Sequence, residues 1–501
     1  MKKHLRILPD IGGVYCFVLF SVLVTIGAKH ALSAGDTFWH IKAGEVMLDR
    51  HSLLATDIFS HTAYGKPWIT HEWLSEIIMA GIHMFAGLDG VALFFLLIAC
   101  LTYWLLFRLL NHFSGEGLTT LCVSVAVLLT MPHLLARPHI FTWLFGVANL
   151  YILMIRRDKL FLLPVLTVVW ANLHGGFMIG ILLQVFFIAG YLFDNHPDSL
   201  ININEWLNLL SQSRKPLIVL SISILAAGIL NPFGFELFIF PFQVTKELFM
   251  NHIGEWIAPN LSNEWYFRYY ILGLIFILTF NFHRINWTSR LLLIFFINSA
   301  LSHFRHISLA GLFLAPLLAE LLAPLGKRLG KLFHRETTST RQLSLSPLTG
   351  PLATLCVASA ILIFCYSSYG RDHKSSPVFF PLPEVFPSQA VRYIKNNPPE
   401  GKMFNDYFLG GYLIYTLAPF QKVFIDGRAD MYGEKIFGDY QKIVQLDEKV
   451  DELLAGYGIG WIIFPVKRPL VLYLEATSRW TEIYRDDQVV IMERKQPLPV
   501  H

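Results

Sequence analysis

The sequence predicts a polytopic α-helical membrane protein of about eleven transmembrane helices, followed by a C-terminal soluble α/β domain. Three observations predict it. Hydrophobic residues make up 54% of the 501 residues and charged residues only 15%, against roughly 25% charged in a soluble domain, and the mean hydropathy is +0.49. Apolar runs near the length a bilayer requires, about 20 residues, recur through the first 370 positions. Beyond them charges return and prolines cluster. The formal net charge of +4 is too small to point to nucleic acid, so the placement of charges matters more than their sum.

The first run, 11–34, follows Lys2, Lys3 and Arg6. It is longer than the apolar part of a signal peptide and shows no small-residue cleavage site, so it reads as a retained span with the N-terminus in the cytoplasm. Further runs lie near 90–110, 117–131, 139–155, 160–172, 178–193, 216–230, 268–282, 289–301, 307–323 and 350–369. Residues 73–87 are too short to span and carry Glu76 and His83, so they read as an interfacial helix closing a first outer loop at 35–89. With this topology the cytoplasmic segments hold 16 Lys and Arg and the longer outer segments hold 7, the asymmetry that the positive-inside rule requires. Making 73–87 a true span inverts everything after it and places the basic clusters outside.

Residues 1–370 thus form the multi-span part. Pro377, Pro381, Pro383, Pro387, Pro398 and Pro399 mark a linker over 371–400, and 401–501 form the outer α/β domain. Apolar stretches at 423–425 and 461–464 read as strands, and 410–417 and 447–457 as helices. Thr337 to Thr349 reads as a polar cytoplasmic loop. The five cysteines form no CxxC and sit in or beside apolar runs, so they read as packing residues.

The polar residues collect on the outer side. Three stretches of the first loop carry three acids, Asp36, Asp57 and Glu72, and three histidines, His40, His61 and His71. Short outer turns add Arg137-Pro138-His139, Asn172-Leu173-His174-Gly175-Gly176, Asn231-Pro232 and His303-Phe304-Arg305-His306. A carboxylate at the exit of a span can act as a general base or ligate a divalent metal. Arginines at other helix ends can hold a phosphate. Together beside a lipid bilayer they suit transfer from a lipid-linked phosphate donor to an acceptor hydroxyl.

The order of these parts resembles the GT-C superfamily of membrane glycosyltransferases. The resemblance rests on GDTFWHIKAGE (35–45), TDIFSHTAYGKPWITHEWL (56–74), LLARPHIF (134–141), WANLHGGF (170–177), RHISL (305–309) and VFIDGRADMYG (423–433), which are similar to a bacterial set of GT-C-like integral membrane proteins. It implies a polyprenyl-phosphate sugar donor, a lipid, glycan or protein acceptor on the outer face of the cytoplasmic membrane, and a catalytic acid just after the first span. Asp36 matches that position. Many members carry a second acid beside it; here the neighbour is Thr37, which puts metal dependence in question.

Each candidate has a plainer rival reading. Asp36 also suits the N-cap of a helix at 37–48. His40 lies one turn later, placed to orient Asp36 or to sit at the interface. Asp57 suits a turn; His71 and Glu72 open the interfacial helix. Arg137 and Arg305 are lone cations in short outer turns, placed to hold a donor phosphate or to snorkel. His139, His174 and His306 stand beside them. In the tail, Asp426 and Arg428 follow a predicted strand, where α/β sheets put binding loops, or they form an ion pair. Transferase is the leading function. The rivals are a transporter of lipid-linked precursors, which favours ionisable residues at mid-span and related halves, and a non-catalytic membrane scaffold.

Overall fold

The computed structural model describes residues 15, 18–24, 30–195, 203–244, 250, 253–332 and 386–495. The expected span at 350–369, the polar loop at 337–349 and the linker up to residue 385 lie outside them. The helical part runs through α1 (Gly35–Arg50), α2 (Trp73–Leu110), α3 (Glu116–Thr130), α4 (His139–Met154), α5 (Leu162–Leu173), α6 (Phe177–Asn195), α7 (Ile203–Gln212), α8 (Arg214–Ile229), α9 (Glu236–Val244), α10 (Trp265–Asn281), α11 (Trp287–Ser302), α12 (Ile307–Phe313) and α13 (Ala315–Leu332). Aromatic side chains fill its centre: Phe95, Tyr103, Trp143, Trp170, Phe177 and Phe296 are fully buried.

Among the described residues four helices are long and apolar enough to cross a membrane: Trp73–Leu110, Glu116–His133, Phe177–Asn195 and Trp265–Arg284. The pair Phe304–Phe313 and Ala315–Gly326, bent by 47°, makes a fifth if taken as one span. The helices α4, α5 and α11 are apolar but shorter, so the expected runs that lie among the described residues fold into full-length, short and broken helices. Proline explains part of this division. Pro164, Pro216 and Pro316 stand in the first turns of α5, α8 and α13, where the missing N–H leaves no bond unmade. α2 breaks at Gly87 (φ 62°, ψ −162°), a conformation glycine reaches without a Cβ clash. The break divides the Glu76- and His83-bearing stretch from the apolar one at the boundary that the sequence suggests.

The tail comprises α14 (Ser388–Asn396), β1 (Lys402–Asn405), α15 (Gly410–Leu417), α16 (Ala429–Gln445), α17 (Val450–Gly456), β2 (Ile459–Pro465), α18 (Pro469–Ala476), β3 (Trp480–Arg485) and β4 (Val489–Arg494). Its sheet has the order β1-β2-β4-β3, with β1 parallel to β2 and the other pairs antiparallel. The strand expected at 461–464 lies within β2. The one expected at 423–425 does not join the sheet. Val423 instead bridges Ser60: its N–H donates to the Phe59 carbonyl (3.1 Å) and its carbonyl accepts from the His61 N–H (3.0 Å). Asn405 clamps this segment from the other side, accepting from the Phe424 N–H (2.8 Å) and donating to the Ile425 carbonyl (2.8 Å).

The tail is therefore fastened to the first loop. Glycine permits the closest approach: a Cβ on Gly411 would collide with the Gly35 carbonyl, and one on Gly35 with the Phe408 carbonyl.

A candidate active site between the first loop and the tail

A cavity of about 730 Å³ opens where α1, the start of α2, the ends of α4 and α5, the segment around Glu255, the 304–306 turn and the tail loop at 427–430 meet. Ten of the twelve candidate residues line it: Asp36, His40, His71, Glu72, Arg137, His139, His174, Arg305, His306 and Arg428. Asp57 and Asp426 do not.

Asp36 stands in the first turn of α1. The N-cap is Ala34, and no side chain caps the helix, so the capping role open to Asp36 in the sequence is not taken. One carboxylate oxygen, Oδ2, meets the Arg137 guanidinium at 2.8 Å; Oδ1 accepts from Trp39 Nε1 at 3.1 Å. Arg137 extends its other amino group to Glu255 Oε1 at 2.6 Å. Glu255 is held at about 2; burial acts to raise it, and the nearby Arg137 and Arg305 guanidiniums outweigh that. The guanidinium thus bridges two carboxylates. Among the described residues no group of three or more His, Cys, Asp or Glu side chains is arranged to hold a metal ion. With Arg137 between Asp36 and Glu255, the residues as placed do not fit a divalent ion.

Glu72, also on the cavity wall, is met by three histidines. His174 Nε2 lies 3.3 Å, and His71 Nε2 3.7 Å, from Oε1; His40 Nε2 lies 3.4 Å from Oε2. The proton on His174 follows from its partners. Trp170 Nε1 only donates, and donates to Thr142 Oγ1 (3.1 Å). The Thr142 hydroxyl then donates to His174 Nδ1 (2.8 Å), which also accepts from the Gly176 N–H (3.0 Å). Nδ1 carries no proton, so Nε2 does, and it donates to Glu72. Burial, with nearby cations, holds His174 and His40 well below the usual imidazole range; burial pushes Glu72 up. His40 does not reach Asp36: its Nδ1 faces Glu76 Oε1 at 3.2 Å.

Arg305 differs from the other two cavity arginines. Its guanidinium lies over the Trp256 ring at 4.6 Å, and among the described residues it makes no ion pair and no side-chain hydrogen bond. His306 Nδ1 shares a hydrogen with Ser299 Oγ (2.8 Å), and His139 Nε2 meets the His133 carbonyl (2.8 Å).

Arg428, by contrast, is fully committed. Its Nε and NH2 donate to the two oxygens of Asp426 (2.8 and 2.7 Å) and NH1 donates to Asp57 (2.8 Å). Asp57 also accepts from Phe59 N (3.1 Å), Ser60 N (3.1 Å) and Ser60 Oγ (2.6 Å). Tyr432 donates a short hydrogen bond to Asp426. Both carboxylates are 0% exposed, and the guanidinium lies 4.6 Å from the Trp68 ring centre. Asp57, Asp426 and Arg428 therefore join loop to tail through their ion pairs, and Arg428 also lines the cavity.

Glu255, Trp39, Trp256 and Asp430 also line the cavity; Trp39 and Asp430 lie within stretches that the sequence marks, 35–45 and 423–433, but are not among its candidate site residues, and neither are Glu255 and Trp256. Asp430 had a signal, its place two residues after Arg428. Glu255 had none beyond being an acid in an outer segment.

Fold and cavity together define a multi-pass membrane protein whose tail closes a polar chamber at one end of the helical bundle. That architecture is similar to solved structures of an archaeal enzyme. To the oligosaccharyltransferase AglB from Archaeoglobus fulgidus, in complex with an inhibitory peptide and a dolichol-phosphate, the chain aligns with a TM-score of 0.57 at 10% identity, covering 91% of this chain and 70% of that one. The apo oligosaccharyltransferase of the same organism gives 0.56, again at 10% identity over 91% and 70%. ArnT from Cupriavidus metallidurans bound to undecaprenyl phosphate gives 0.46 at 13% identity, covering 95% and 97%. No family model and no curated protein matches the chain. The fold agrees with the GT-C resemblance read from the sequence.

Proposed function

We propose that the chain is a membrane glycosyltransferase that moves a sugar from a polyprenyl-phosphate-linked donor to a hydroxyl of a lipid, glycan or protein acceptor, on the outer face of a bacterial cytoplasmic membrane. One observation carries this reading: the first carboxylate after the opening run, Asp36, shares a chamber with Arg137 and with the guanidinium of Arg305, which among the described residues has no ion-pair partner. A scaffold does not require such a chamber, and a flippase favours charges at mid-span. The fold shared with AglB, whose solved complex holds a dolichol-phosphate, supports a lipid-linked donor.

In the proposed reaction the acceptor oxygen attacks the sugar carbon bound to phosphate. The carbon–phosphate-oxygen bond breaks, and the lipid phosphate leaves with the electron pair. The acceptor proton passes to Asp36, whose oxygens keep lone pairs beyond those facing Arg137 and Trp39. Arg137 fixes the orientation of the base. Arg305, without a protein counter-ion among the described residues, receives the charge that grows on the leaving phosphate. General-base catalysis of this kind contributes about 10²- to 10⁴-fold. Membranes carrying Asp36→Asn, assayed with a radiolabelled lipid-linked sugar, are expected to lose transfer by about that factor. Unchanged transfer would remove the proposed base.

A further inference from the structure

A second cavity, of about 280 Å³, lies at the far end of the helical bundle from Asp36. The helix α4 runs between the two: Thr142 lines the first chamber and Leu153 the second, a separation of about 16 Å at 1.5 Å per residue. Two buried polar groups line the second cavity without a partner among the described residues. Gln184 is 2% and Ser213 3% exposed, and among the described residues neither Gln184 Nε2 nor Ser213 Oγ has a hydrogen-bond partner. Gln184 Oε1 accepts from Ser223 Oγ (3.4 Å), which leaves the amide N–H groups unused. Ser213 occupies the N-cap of the 16-residue α8 yet makes no capping bond, so its hydroxyl is free to serve the cavity.

Arg157 stands at the rim and lines the same cavity. Its Nε donates to the Leu153 carbonyl (3.1 Å), which anchors the guanidinium there, and among the described residues it makes no ion pair. Among the described residues no Asp or Glu lines the cavity; the other walls are mainly apolar, Leu153, Leu163, Phe187 and Val219 among them. Buried donors without acceptors cost free energy. A set made of a guanidinium, an amide, a hydroxyl and the start of a helix favours an anion. Apolar walls beside that set favour one that carries a hydrocarbon chain, and basic pockets between membrane helices take lipid headgroups.

We infer that this cavity binds one anionic phospholipid from the leaflet opposite Asp36, with its phosphate on Arg157, Gln184 and Ser213. The inference does not rest on glycosyl transfer. To test it, the full chain purified in detergent is titrated with phosphatidylglycerol, phosphatidylcholine or inorganic phosphate and read by native mass spectrometry. One phosphatidylglycerol is expected to remain bound about tenfold more tightly than phosphatidylcholine, with inorganic phosphate failing to displace it. Arg157→Gln and Gln184→Leu are each expected to weaken it about tenfold. Arg157 lies at the exposed rim, so its variant carries the test if the buried substitution disturbs folding. Equal retention of both lipids, or phosphatidylglycerol binding unchanged in a monodisperse Arg157→Gln protein, overturns the proposal. Displacement by inorganic phosphate overturns it as well, by marking a simple anion site.

Discussion

Gly427 lies against the proposed base. A Cβ built on it collides with Asp36 Oδ1 and comes within 2.8 Å of Asp36 Cγ. Carbon atoms in contact sit about 3.5–4.0 Å apart, so Gly427→Ala requires the carboxylate or the tail loop to retreat by about 1 Å. Asp36 is held by Arg137 at 2.8 Å and Trp39 at 3.1 Å; a retreat of that size stretches both past hydrogen-bonding range. A misplacement of about 1 Å costs on the order of 10²-fold in rate, and overpacking of this kind costs about 1–3 kcal/mol in stability. Gly427→Ala is therefore expected to fold, to melt somewhat earlier, and to transfer sugar about 100-fold more slowly. Gly438→Ala, where an added Cβ meets nothing within 4 Å, is the control. The assay is transfer of radiolabelled sugar in membranes, with the melting temperature of each purified protein measured in parallel. Transfer by Gly427→Ala equal to that of the control refutes the placement of the base against the tail.

Other consequences follow from the same geometry. Arg428→Met leaves Asp57 and Asp426 buried without their cation and is expected to cost about 3–5 kcal/mol in thermal or denaturant unfolding; an unchanged unfolding midpoint contradicts the lock between loop and tail. Arg305→Ala is expected to weaken retention of polyprenyl phosphate by roughly 10- to 100-fold, the loss of one charge-assisted contact, with Arg305→Lys intermediate; equal retention in all three proteins removes Arg305 from the phosphate site. Glu255 falls from about 4.5 when unfolded to about 2 when folded, so its contribution is present above pH 4.5 and is lost as the pH falls from there toward 2. A Glu255→Gln protein is expected to show a flatter acid limb in a stability-versus-pH series, and an identical limb rejects the ion pair with Arg137.

Much of the architecture is legible in the sequence, because it depends on runs and counts. Apolar length marks the helices, the Lys and Arg asymmetry sets which turns share a face, and that sharing predicts that Asp36, Arg137, His174 and Arg305 meet. The pairing of charges is less legible. Arg428 and Asp57 are 371 positions apart, and nothing local to either says that one neutralises the other. The same holds for Glu255, which competes for Arg137 from a segment with no motif. The strand expected at 423–425 has the right composition, but its partner is the first loop instead of the sheet, and composition does not name a partner. His40 is on the predicted face of α1, yet its ring nitrogens meet Glu72 and Glu76 at the start of α2 instead of Asp36.

The most direct measurement is a structure of the protein with a polyprenyl phosphate bound. The account predicts the phosphate in the chamber, with an oxygen about 3 Å from the Arg305 guanidinium and the Asp36 carboxylate facing the side from which an acceptor enters. A phosphate seated elsewhere, with Arg305 uninvolved and Asp36 closed off behind the tail, would contradict it.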